Sequence, residues 1–127
     1  MGNGTSIGKV RGLGSAHSGS HHWLLQRFTA IGNLLLVLWL IASILMLPSL
    51  EYAAVREWLV RPVPATAMGL LLISTIWHAR LGMQVAMEDY VHEHGNKFAL
   101  LALLNLAAFA SIAFGLFCVI RLALGGA

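Results

Sequence analysis

His78-Ala79-Arg80-Leu81-Gly82-Met83-Gln84-Val85-Ala86-Met87-Glu88-Asp89-Tyr90 closes an apolar run that opens near Val63. The run is long enough to cross a bilayer with some tilt. On a helix each residue turns about 100°, so positions i and i+11 project almost together. His78, Gly82 and Asp89 then share one face, with Tyr90 beside it. At about 1.5 Å per residue, His78 and Asp89 stand roughly 16 Å apart along the axis. One face therefore carries an imidazole at depth and a polar pair where the run meets water.

Composition extends this reading to the whole chain. Of 127 residues, 58% are hydrophobic and 10% charged, and the mean hydropathy is +0.78. Soluble domains carry about 25% charged residues, so water is not the main solvent of this chain. The expected fold is all-α and integral to the membrane. It has three transmembrane helices at about 28–47, 63–87 and 98–120, in one membrane domain spanning 1–127. Trp23 and Arg27 precede the first span as interfacial anchors, and Pro48-Ser49 ends it. Tyr52, Val55, Trp58 and Leu59 recur at helical spacing, which predicts a short interfacial helix at about 51–60. Pro62 and Pro64 suit the first turn of the second span. Residues 88–97 read as a polar loop containing His92 and His94. In the third span Ala107, Ser111 and Gly115 form a small-residue stripe suited to helix packing.

Residues 1–20 are polar and rich in Gly and Ser, as in a mobile or partner-bound segment. They lack the apolar core of a signal peptide. A myristoylation pattern at Gly2, a glycosylation sequon at Asn3 and a Gly8-Lys9 pair occur here, each without supporting context. His17, His21 and His22 fit no standard metal cage and suit an interfacial segment. The eight Lys and Arg are scattered, so the net charge of +3 implies lipid headgroups and no nucleic-acid partner. Cys118 lies in the third apolar run and reads as a small packing residue. Three spans place Lys9, Arg11, Arg27 and Lys97 on one side and Arg56, Arg61 and Arg121 on the other. This balance leans towards a cytoplasmic N-terminus.

An ionisable residue inside a span is costly and marks function by default. The residues leave two readings of His78 open: an interhelical hydrogen bond in a structural or transport protein, or ligation of haem iron. Gly82, one turn on, leaves room for a flat macrocycle or for a neighbouring helix. No second axial ligand stands out at similar depth, although Met68 and Met83 lie within the span. Haem binding would therefore require a second membrane subunit. Arg80 and Arg27 suit haem propionates or lipid phosphates, and Arg80 also suits snorkelling to the headgroups. Asp89-Tyr90 reads either as a helix end with an interfacial tyrosine or as a donor–acid pair for a ligand carbonyl.

The pattern His-x3-Gly-x6-Asp-Tyr, made by His78, Gly82, Asp89 and Tyr90, resembles the hydrophobic membrane anchor subunit of succinate dehydrogenase, the D-type anchor of respiratory complex II. Arg27-Phe28-Thr29-Ala30-Ile31 is similar to that family's Arg-x-Thr/Ser-Ala signature. The likeness covers roughly residues 21–121. It implies a non-catalytic subunit of succinate:ubiquinone oxidoreductase, serving the tricarboxylic acid cycle and respiratory electron transport. Its partners would be a second, cytochrome b556-type anchor, an iron–sulfur subunit and a flavoprotein subunit. By resemblance His78 is the axial ligand of a shared haem b and Arg27 approaches a propionate. Tyr90 hydrogen-bonds ubiquinone, and Asp89 lies near it on the proton path. The implied location is the bacterial inner (plasma) membrane, rather than the mitochondrial one. A quinol:fumarate reductase anchor has the same architecture run in reverse.

Overall fold

A computed structural model describes residues 19–125; the segment containing Gly2, Asn3, Gly8, Lys9, Arg11 and His17 lies outside the described residues. Four helices follow one another: α1 (Gly19–Leu45), α2 (Tyr52–Val60), α3 (Pro62–Tyr90) and α4 (His94–Ala123). α1, α3 and α4 are long and apolar enough to cross a membrane. The all-helical, three-span architecture and the short helix after the first span agree with the sequence reading.

The ends differ from expectation in a consistent direction. α1 begins nine residues before the apolar run, at Gly19 rather than 28. α3 carries Glu88, Asp89 and Tyr90 as its last turn, and α4 starts at His94. The expected 88–97 loop shrinks to residues 91–93. Hydropathy marks where lipid stops, but the backbone stays helical past that point because intrahelical bonds satisfy its N–H and C=O groups. The 27, 29 and 30 residues of α1, α3 and α4 give about 40–45 Å each at 1.5 Å per residue. That length covers the hydrocarbon core and reaches the headgroups.

The helix ends are built locally. Pro62 stands at the start of α3, where a missing N–H costs nothing. Lys97 Nζ donates to the Glu88 carbonyl at 3.0 Å, satisfying an acceptor in the last turn of α3. Gly125 takes φ +78°, a left-handed value that closes α4, and its N–H reaches the Leu122 carbonyl at 3.1 Å.

α3 is the centre of the fold. α1 and α4 each pack on α3 and, among the described residues, not on each other. α2 lies across α3 and α4, burying Leu59. Trp58 of α2 stacks on Trp39 of α1, with centroids 5.8 Å apart and 25° between planes. Arg56 donates to the Gly125 carbonyl at 3.2 Å, so α2 and the end of α4 share one end of the molecule. Leu81, Leu104 and Ala108 form the buried α3/α4 seam, and α1 has no buried residue. Phe28, Phe98 and Phe114 stay largely exposed. Such a surface is stable against lipid tails or a partner helix, where exposure of apolar atoms carries no penalty.

The small-residue stripe of α4 acts only in part as expected. A side-chain carbon at Gly115 would collide with Leu72 of α3, so that glycine sets a close approach. Ala107 and Ser111 face outward instead, because steps of four drift about 40° per repeat around a helix of 3.6 residues per turn.

Candidate functional site

The α1/α3 seam is a ladder of polar side chains. Thr75 Oγ1 donates to Asn33 Oδ1 at 3.4 Å, and Ser74 Oγ donates to the Thr29 carbonyl at 3.4 Å. A Cβ at Gly32 would stand 3.6 Å from Ser74 Oγ, an ordinary contact. One turn on, His78 Nδ1 lies 3.0 Å from Thr29 Oγ1. The Thr29 hydroxyl itself lies 2.8 Å from the Leu25 carbonyl, its nearest acceptor, and 3.2 Å from that of Gln26. His78 Nε2 meets no hydrogen-bond partner among the described residues. The imidazole is thus half engaged, with one nitrogen tied to α1 and the other available.

Gly82 continues the same face. It lines a groove of about 530 Å³ with His22, Trp23, Gln26, Gln84 and Glu88. A Cβ at Gly82 would stand 3.7 Å from Gln26 Nε2, an ordinary contact. The approach of α1 at Gly82 is therefore not tight, and His78 is not among the residues that line the groove. Three buried polar atoms, His22 Nε2, Gln26 Oε1 and Gln84 Oε1, have no hydrogen-bond partner among the described residues. Gln84 Nε2 donates to Glu88 Oε1 at 2.8 Å.

The other sequence-derived candidates divide. Asp89 and Tyr90 sit on the last turn of α3, and Tyr90 is 84% exposed. Their side chains are therefore open to a partner from outside the chain. Arg27 is exposed, with its guanidinium over the Trp23 ring at 5.4 Å. Arg80 behaves differently from expectation. Its Nε donates to Asn105 Oδ1 of α4 at 2.8 Å, and its guanidinium lies over Trp77 at 5.3 Å. It is held in the α3/α4 seam, because a neighbouring helix offers an acceptor nearer than the headgroups. Among the described residues no three His, Cys, Asp or Glu side chains gather around a metal-sized point. Sequence reading gave Asn105 no role and placed Thr29 only within the Arg27-Phe28-Thr29-Ala30-Ile31 signature. Both are lone polar residues in apolar runs, a signal that could have flagged a helix contact.

The pattern of the succinate dehydrogenase/fumarate reductase transmembrane subunit family matches residues 1–114. The chain belongs to this family. A succinate dehydrogenase hydrophobic membrane anchor subunit of Rickettsia bellii is 44% identical over 85 residues, covering 67% of this chain and 68% of the relative. One of the same description from Rickettsia conorii is 36% identical over 107 residues, 84% of this chain and 85% of the relative. A succinate dehydrogenase membrane anchor subunit of Reclinomonas americana is 33% identical over 94 residues, 72% of this chain and 78% of the relative. With three spanning helices, this family member is a multi-pass membrane protein.

Proposed function

We propose that this chain is a membrane anchor of succinate:ubiquinone oxidoreductase, holding one side of a haem b and one edge of a quinone site. The observation that carries the reading is the half-engaged His78: Nδ1 tied to Thr29 and Nε2 without a partner among the described residues. This fits a haem ligand, which needs a fixed ring and a free lone pair. Haem b, when bound, would supply one-electron redox chemistry alongside the quinone site. A second, cytochrome b556-type anchor would supply the other iron ligand.

The chain's own residues position and supply protons. The Tyr90 hydroxyl donates a hydrogen bond to a ubiquinone carbonyl, and Asp89 beside it relays protons as the quinone takes two electrons and two protons. The exposed Arg27 guanidinium offers a fork to a propionate. The end of the bundle carrying Tyr90, Lys97 and the start of α1 docks the iron–sulfur and flavoprotein subunits. That end faces the cytoplasm of a bacterial inner membrane.

The Thr29–His78 bond is also what a purely structural histidine would make, so the experiment must separate the two. A reduced-minus-oxidised spectrum of the detergent-extracted complex should show a b-type signal that is lost or altered in His78→Ala. An unchanged low-spin spectrum in His78→Ala rules out axial ligation. The relatives named above are succinate dehydrogenase anchors, which favours succinate oxidation over a quinol:fumarate reductase.

A further inference from the structure

We infer that Thr29 is a positioning residue for His78, selecting which ring nitrogen is free to bind iron. The inference rests on the axial-ligand reading of His78 and adds a residue to it.

The argument is one of proton count. A threonine hydroxyl has one hydrogen and two lone pairs. At Thr29 that hydrogen goes to the nearer acceptor, the Leu25 carbonyl at 2.8 Å, a back-bond of the usual i to i−4 kind. What the oxygen turns towards His78 Nδ1, 3.0 Å away, is then a lone pair. Nδ1 must carry the proton to complete the bond. Neutral imidazole has one N–H, so Nε2 keeps its lone pair, the form that can ligate a metal. Without Thr29 both tautomers are open, and the ring is free to turn about its χ angles.

The seam holds this geometry in register. The Thr29 carbonyl accepts from Ser74 Oγ, one turn before His78 on the same face of α3. Thr29 is thereby held at both its carbonyl and its hydroxyl. The acceptor also has an electronic effect. Drawing on the Nδ1–H makes Nε2 a better donor, which favours ferric over ferrous iron.

The test uses the whole complex with Thr29→Val, Thr29→Ser and His78→Ala. The readouts are the haem midpoint potential and the ferric low-spin electron paramagnetic resonance signal. Thr29→Val keeps the shape and removes the acceptor. Its potential should move upward, with haem bound about tenfold more weakly. Thr29→Ser should return both to wild type. A potential that stays put or moves downward in Thr29→Val overturns the positioning role. If His78→Ala removes the signal while Thr29→Val matches wild type, the positioning role alone falls. If His78→Ala keeps the signal, the axial reading falls and takes the inference with it. Should Thr29→Val assemble poorly, Thr29→Cys decides. Its sulfur is a weaker acceptor, so a smaller upward shift is expected, and a wild-type potential overturns the role.

Discussion

Arg80 of α3 and Asn105 of α4 are joined by a 2.8 Å hydrogen bond. Asn105 in turn donates from Nδ2 to the Leu101 carbonyl of its own helix at 2.8 Å. The amide is thereby oriented, with its oxygen towards the guanidinium. Trp77 lies under Arg80 and meets Phe109 edge-on at 6.0 Å, so cation and rings form one packed unit across the seam. In a low-dielectric seam a lone cation would be costly, and the pairing offsets that cost.

Asn105→Leu should therefore lower the thermal midpoint of the detergent-solubilised complex, by about 1 kcal/mol in stability. Arg80→Met together with Asn105→Leu should cost less than the two singles combined, because no cation is left unpaired. Circular dichroism melts of the three variants check this. Additive losses would mean that the two residues are not coupled.

Tyr90→Phe removes one hydroxyl from an exposed position at the end of α3. Loss of a hydrogen bond of about 1 kcal/mol should lower succinate–ubiquinone turnover about fivefold. Haem content and succinate oxidation with a soluble dye acceptor should stay as in wild type. Unaltered quinone turnover would remove Tyr90 from the site.

Gly115→Val should push α4 away from Leu72 and cost about 1–3 kcal/mol by overpacking. Leu72→Ala in the same chain should recover part of that loss, since it clears the colliding atoms. A melt of the double variant no higher than that of Gly115→Val would place the strain elsewhere.

Trp58→Ala removes the stack on Trp39, a contact worth about 0.5–1.5 kcal/mol beyond the area it buries. α2 should loosen from the bundle, and trypsin should cut faster at Arg56. Cleavage at the wild-type rate would show that Leu59 and the Arg56–Gly125 bond hold α2 without the tryptophans.

Much of the candidate site could be read from the chain. His78 announces itself because an imidazole in an apolar run has no water to turn to, and Asp89-Tyr90 marks the water boundary by its polarity. The partners of these residues could not be read. Thr29 and His78 are 49 positions apart, and Asn33 and Asn105 look alike as isolated polar residues in apolar runs. Arg80 was open between lipid and cofactor until α4 placed Asn105 beside it. Helix ends were displaced for a related reason: residues 19–22 and 88–89 carry few apolar side chains yet are helical.

The linear order of residues by itself determined three crossings, the short helix between the first two, and a histidine at depth in the second. Those follow from hydropathy and from the rule that a backbone in lipid must bond to itself. Only the tertiary structure decided that α3 lies between α1 and α4, that Arg80 belongs to the seam, and which nitrogen of His78 is tied. Those depend on side chains far apart in the chain meeting within about 3 Å, and hydrogen bonds of that reach exist only once the helices have packed in one register.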